Sequence, residues 1–350
     1  MSSAYDYDKP PELYDGLRLH QNENTGGCSP RVIEALAALR PDQIAFYPPY
    51  KKTVDACARH LGVPAEQIAL TNGLDEGILA AAIAYLRPSV ENPAPEAIVP
   101  QPAFEIFALN ASVAGGRPVF VMPRPDFEFA LDEILGAITP KTRAVFLTNP
   151  NNPTGVSMPM EAIRIVASRM PSAGIVFVDE AYADFAGRTF IPELPRHPNV
   201  IVGRTFAKAH GLAGLRIGAL VGAAAALSPV RQAIGVYSVN VAAAVALEAA
   251  LADKAFVDDY LRQVHESKAL VYAACDRLGL KYWKSDANFV LIRTGGRTDA
   301  IADAAAARGI YVRDRGGEPG CEGCIRLTTG VVEHTRRGLA VLEEVLCGER

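Results

Sequence analysis

"AVFLTNPNNPTG", residues 144–155, joins four apolar residues and a threonine, a run of strand length, to a turn rich in asparagine, proline and glycine. The apolar run shows no alternation, so as a strand it is buried on both faces. The Asn/Pro/Gly cluster then punctuates the chain. Similar short runs recur as "IALT" (68–71), "AIVP" (97–100), "PVFV" (118–121), "IVFVD" (175–179), "VIVG" (200–203) and "GALVG" (218–222). Helical patterns lie between them, among them 74–86, 159–170 and 241–252. Doubly buried strands alternating with helices predict an α/β fold with a mostly parallel central sheet wrapped by helices. Ligands of such sheets bind beyond the carboxyl ends of the strands. Four polar clusters sit at those ends: "NPNNPTG" after 144–148, Asp179 closing "IVFVD", "RTFAK" after "VIVG", and "TNGLDEG" after "IAL". They are expected to converge on one crevice.

After about residue 265 the pattern changes. A long helical stretch precedes "ANFVLIRT" (287–294), "GIYVRD" (309–314) and "CIRLTTG" (324–330). This predicts a large domain over 41–264 and a smaller α+β domain formed by 1–40 together with 265–350.

The 350 residues carry a net charge of −4, with 49% apolar and 21% charged residues. That is an ordinary globular composition without the basic footprint of a nucleic-acid or anionic-membrane binder. The polar, acidic start "MSSAYDYDKPPELYDG" does not read as a signal peptide, and "ILAAAIAYL" (78–86) is too short to span a bilayer. A cytoplasmic location is therefore expected. Six scattered cysteines include one close pair, Cys321 and Cys324 in "CEGC". A lone C-x-x-C is weak evidence for zinc, and reduced thiols with no metal are expected.

"GRTFAKAHGLAGLRIGAL" (203–220) places Lys208 among small and apolar residues. A buried ammonium is costly unless it is paired, or unless burial lowers its pKa for chemistry. Each candidate also has a plain structural reading. Lys208 could snorkel to the surface, Asp179 could cap a helix, and Arg216 and Arg326 could form ion pairs. The ordered set is more specific. Asp179 lies 27 residues after Asn152, Tyr182 three after Asp179, Lys208 29 after Asp179, and Arg216 eight after Lys208.

With "NNPTG", "DEAY", "RTFAKAHGLAGLRIG" and "CIRLTTG" in this order, nearly the whole chain resembles the fold-type I pyridoxal phosphate (PLP) enzymes, the aspartate aminotransferase-like family. The resemblance implies that Lys208 holds the cofactor through its amine and then serves as general base and acid. It implies that Asp179 keeps the pyridine nitrogen protonated, and that Tyr182 and Asn152 bond the ring's phenolic oxygen. Phe104 would stack on the ring. Gly73, Leu74 and Asp75 would present a helix N-terminus to the phosphate, joined by Arg216. Tyr47 in "FYPPY" would reach the neighbouring subunit's cofactor, which implies a homodimer.

Within the family, "LHQNEN" (19–24), "FYPPY", "TNGLDEGI", "YVRD" and "CIRLTTG" resemble the histidinol-phosphate aminotransferase branch of histidine biosynthesis. That implies Asn22, Asn152, Arg326 and Arg313 as substrate-binding residues, with histidinol phosphate and glutamate or 2-oxoglutarate as partners. The plain reading of Arg313 is an ion pair with Asp314 or Glu318. Aminotransferases of aromatic or other amino acids share this skeleton, as do PLP decarboxylases of phosphorylated amino acids. A cofactor-binding regulatory module would need an added DNA-binding domain, for which the first 40 residues give no room. Some residues depart from the branch. Ala207 replaces a serine that binds the cofactor phosphate, leaving Thr205 or a water to supply the missing bond. His210 replaces a large apolar or aromatic residue and is expected to serve packing. Phe104 replaces a tyrosine. The N-terminus lacks a Pro-Tyr stretch, for which Tyr5, Tyr7 or Tyr14 could substitute.

Overall fold

The computed structural model describes residues 15–347, so the tyrosines at 5, 7 and 14 lie outside the described residues. Each of the seven strand-length runs lies in a strand. Seven strands make the main sheet, in the order Ile68–Thr71, Gly218–Gly222, Val200–Thr205, Ile175–Asp179, Thr142–Thr148, Glu96–Pro100, Arg117–Val121. All run parallel except Gly218–Gly222, which is antiparallel to both neighbours. The exception has a local cause. Val200–Thr205 is linked to Gly218–Gly222 by the Lys208 loop rather than by a crossover helix, and without a crossover the chain returns antiparallel. The central strands are buried along their whole length. That is why they show no alternation: helices cover both faces, and two apolar cores form, one on each side.

The helix Gly73–Leu86 packs its first turn hard against the sheet. A Cβ on Gly218 would stand 2.9 Å from the Leu74 nitrogen and 3.0 Å from the Arg204 carbonyl oxygen, so only glycine allows this approach. The small residues around Lys208 thus bring a helix N-terminus close to the strand ends.

The C-terminal region forms a four-stranded antiparallel sheet, ordered Arg313–Asp314, Cys324–Thr328, Phe289–Arg293, Lys281–Tyr282. Helices Lys254–Leu278 and Val332–Cys347 contribute to its own core. The first of these runs unbroken through position 265. The segment Leu17–Arg18 pairs with Ile310–Tyr311, and the Thr328 amide donates to the Leu19 carbonyl at 3.0 Å. This delivers residues 20–22 to the same place as the end of Cys324–Thr328. All six cysteines are free thiols, and buried Cys321 and Cys324 pack with Trp283 and Leu291. Among the described residues no helix is long and apolar enough to cross a membrane, and no three His, Cys, Asp or Glu gather as a metal-binding group.

Candidate functional site

One pocket lies beyond the carboxyl ends of the parallel strands. It is lined by Asn22, Leu74, Asp75, Phe104, Asn152, Asp179, Tyr182, Thr205, Lys208, Arg216, Arg313 and Arg326. All of these were expected from the motifs. Gly73 lies just outside, at the start of the helix, with φ +77°; a Cβ there would meet the Arg216 guanidinium at 2.6 Å. Tyr47 is the exception. It is 75% exposed and stacks on Tyr237 at 4.1 Å, away from the pocket of its own chain.

Lys208 sits at the centre. Its Nζ donates to the Gln21 carbonyl at 2.9 Å and lies 5.9 Å above the Tyr182 ring. No carboxylate forms an ion pair with it among the described residues. Burial lowers its pKa to about 8, and the nearby Arg326 adds to the effect. Asp179 ends its strand fully inside the protein, where burial raises its carboxyl to about 7 against the opposing pull of the Ala181 amide and Lys208. Its Oδ1 accepts from the Ala181 amide at 2.9 Å in a turn at the strand end; it does not cap the following helix, Ala183–Ala186, whose N-cap is Tyr182. Nothing in this arrangement compensates the Asp179 charge fully. A cation brought to it, such as a protonated pyridine nitrogen, would do so.

The Tyr182 hydroxyl accepts from Asn22 Nδ2 at 2.9 Å, and burial raises its pKa. Asn152 Oδ1 accepts from the Arg326 guanidinium, whose Nη2 also donates to the His20 carbonyl at 2.7 Å. Burial, then Arg315, lowers the Arg326 pKa to about 9. At the other end of the pocket, Arg216 pairs with Asp75 at 2.7 Å. Thr205 Oγ1 accepts from the Ala207 amide at 3.2 Å and keeps its own O–H to donate into the pocket. Five cations (Lys208, Arg216, Arg313, Arg315, Arg326) therefore face three carboxylates (Asp75, Glu105, Asp179) in one cavity. The excess favours an anionic ligand. The arrangement suits pyridoxal phosphate: an uncharged-capable amine for its aldehyde, a buried acid for its ring nitrogen, and Thr205, Arg216 and a helix N-terminus for its phosphate.

Several lining residues were missed by sequence reasoning: His20, Gln21, Glu105 and Arg315. Arg315 is buried between Glu105, at 3.3 Å, and Glu318. Glu318 thus partners Arg315, two residues beyond Arg313, and no motif marked that position. His210 is buried outside the pocket. It lies edge-on to His60 and Phe206, with Nδ1 3.9 Å from Asp184. Asp184 is the partner of Arg204, and His210 is a packing residue here.

Comparison with known proteins supplies the family. The model of the aminotransferase class I and II family matches residues 14–342. The chain is similar to the histidinol-phosphate aminotransferase of Symbiobacterium thermophilum, 35% identical over 95% of this chain and 91% of that one. It is also similar to histidinol-phosphate aminotransferase 2 of Ralstonia nicotianae, 37% identical over 94% of this chain and 88% of that one. Among solved structures it resembles the histidinol-phosphate aminotransferase of Sinorhizobium meliloti in complex with pyridoxal-5'-phosphate. The TM-score is 0.83 and the identity 28%, over 95% of this chain and 92% of that one.

Proposed function

We propose, for a chain that belongs to the class I and II aminotransferase family, a PLP-dependent transfer of an amino group between histidinol phosphate (or imidazole acetol phosphate) and glutamate or 2-oxoglutarate. The observation that carries this reading is the pocket itself. A lysine of lowered pKa stands beside a surplus of cations, three of which (Arg313, Arg315, Arg326) come from the C-terminal region. Two anionic substrates must use that wall in turn.

The cofactor, when bound, supplies the electron sink that makes the substrate Cα–H acidic. The chain supplies the rest. Lys208 Nζ would act as the base that takes the substrate Cα proton and as the acid that gives it back. Asp179 would keep a proton on the ring nitrogen. The Tyr182 hydroxyl and Asn152 would hold the ring's phenolic oxygen. Thr205, Ala207 and Arg216 close the phosphate end, with Thr205 supplying the hydroxyl that Ala207 lacks. Phe104 lies across the pocket, edge-on to Phe107. Arg326, with Asn22 and Asn152 around it, and Arg313 orient the substrate's anionic groups. The division into a large domain, 41–264, and a small one, 1–40 with 265–350, belongs to the same reading, as does work in the cytoplasm.

The purified protein should convert histidinol phosphate and 2-oxoglutarate into products, with each half-reaction visible as exchange between the pyridoxal and pyridoxamine absorbances. A donor screen including aromatic amino acids and phosphothreonine separates the readings. Turnover of an aromatic amino acid without histidinol phosphate, or release of carbon dioxide, would replace this function by one of its alternatives.

A homodimer with shared sites is part of the proposal. Ile44, Phe46 and Tyr47 are 65%, 71% and 75% exposed, and Val236 and Tyr237 lie out with them. Tyr47 stacked on Tyr237 gives an apolar face that water solvates poorly. If Tyr47 serves the neighbour's cofactor phosphate, Tyr47→Ala and Lys208→Ala subunits, each nearly inactive alone, should recover activity when mixed. One site of each mixed dimer then has both native groups. Confirmed mixed dimers that stay inactive would rule out the crossing.

A further inference from the structure

A second cavity lies behind the "NPNNPTG" turn, between the strand Thr142–Thr148, the helix Met160–Arg169 and residues 123–131. Its volume is about 550 Å³, against about 200 Å³ for the pocket around Lys208. That is the size of a small-ligand site. Phe129, Leu131, Phe146, Leu147 and Met158 give it an apolar floor. Pro100, Pro102, Pro123 and Pro159 stiffen its walls. Phe127 is pinned as well. Its ring lies 4.8 Å from Trp283, and a Cβ on Gly320 would stand 3.0 Å from it. Asp126 and Phe127 are held at φ +56° and +59°, a region that residues other than glycine seldom adopt. The Asp126 carboxylate is bonded to Lys281 from the C-terminal sheet. The shape is therefore set before any ligand arrives, which lowers the cost of binding.

The charge of this cavity is opposite to that of the Lys208 pocket. Asp126, Glu128 and Glu161 stand exposed at its rim, and among the described residues no lysine, arginine or histidine lines it. Two of these carboxylates are compensated from outside. Asp126 pairs with Lys281, and Glu161 pairs with Arg164, which also holds Glu193 at 3.0 Å. The nearby Arg124 is taken by Asp132 and Glu133. Glu128 forms no ion pair among the described residues. Ser157, also in the lining, has its Oγ buried without a partner. An anion entering here meets three carboxylates. A neutral apolar molecule fills the floor but leaves Glu128 uncompensated. An aromatic ring carrying a positive charge satisfies both, and the faces of Phe127 and Phe129 add attraction for the cation. We propose that this cavity binds a compact aromatic ammonium ion, ring inward and charge toward Glu128. Thr148 lines both cavities, so the ligand lies beside the reaction site without entering it.

The test uses the PLP-loaded protein. Trp283 is the only tryptophan of the chain and packs on Phe127, so its emission reports on the cavity. Three probes share a ring and differ in charge: benzyltrimethylammonium, benzyl alcohol and phenylacetate. The first has no N–H and forms no imine with the cofactor. Molecules of this size should bind with a Kd of about 1 mM. Benzyltrimethylammonium should change the Trp283 emission saturably and bind about threefold to fivefold more tightly than benzyl alcohol, with phenylacetate weakest. Added salt should narrow that gap. Glu128→Gln is an exposed change and should bring the cation to within about twofold of benzyl alcohol. Ile165→Phe, at a half-buried position of the lining, should weaken the cation and the alcohol alike, by about tenfold, because it fills the space. Absence of a saturable change in the native protein, or phenylacetate binding as tightly as the cation, overturns the proposal. So does a cation advantage that survives Glu128→Gln, or binding that Ile165→Phe leaves unchanged.

Discussion

Lys208→Ala should lower transamination by roughly 10⁴-fold, the upper range for a lost general base, and leave PLP bound without a covalent link. The expectation follows from where the amine sits. Lys208 Nζ has one carbonyl partner, Gln21, and no ion pair holds its charge among the described residues. Burial brings its pKa from 10.5 to about 8. At pH 7 it therefore carries ~300-fold more unprotonated amine than an ordinary lysine, which is the form that attacks an aldehyde. The sign of the pH effect is fixed by this. Capture of PLP by the stripped protein should accelerate as pH rises and level off above about 8, whereas an unperturbed lysine would keep accelerating beyond 10. Borohydride reduction followed by peptide mapping should place the adduct on Lys208. An adduct on another lysine, or activity within tenfold of native in Lys208→Ala, would remove Lys208 from the reaction.

On the proposed roles, in which both substrates present an anion to the same guanidinium, Arg326→Ala should damage both half-reactions, each by about 30-fold or more. Truncating one member of a buried charged pair costs about 2–5 kcal/mol. Arg326 is 6% exposed and bonded to Asn152 and to the His20 carbonyl, so its loss also loosens Asn152 and the segment that carries His20 and Gln21. Arg313→Ala should weaken histidinol phosphate more than glutamate. Single-turnover rates for the two substrates, taken separately, check both statements. A loss confined to one substrate in Arg326→Ala, or equal losses in Arg313→Ala, would undo this division of labour.

Much of this was legible in the order of residue types. The uniformly apolar runs at 144–148, 175–179 and 200–203 mark strands covered on both faces, and the structure builds its central sheet from them. Asp179 closes its strand, and Lys208 and Asn152 come three and four residues after theirs, so locating the strands locates the residues. Arg216 and Leu74 were found through motif order and lie in the same pocket. The glycines had a reason that spacing alone did not reveal. Gly218 admits the Leu74 amide, and Gly73 admits the Arg216 guanidinium.

Residue types and their order are enough to specify the parallel α/β sheet, the strand ends at which polar residues gather, and the pocket residues around Lys208. These are local properties: burial sets hydrophobic periodicity, and a strand end is adjacent in chain to what it presents. The other wall was decided only by tertiary structure. Asn22 meets Thr328 across 306 positions, and His20 meets Arg326 across the same separation. Arg315 reaches Glu105 across 210 positions. No periodicity records such pairings, because they depend on how a short N-terminal segment docks on a second sheet. That docking turned His20, Gln21, Glu105 and Arg315 from unmarked residues into pocket walls. It was packing, too, that placed Tyr47 on an exposed face against Tyr237 and His210 outside the pocket, although His210 lies only two residues after Lys208.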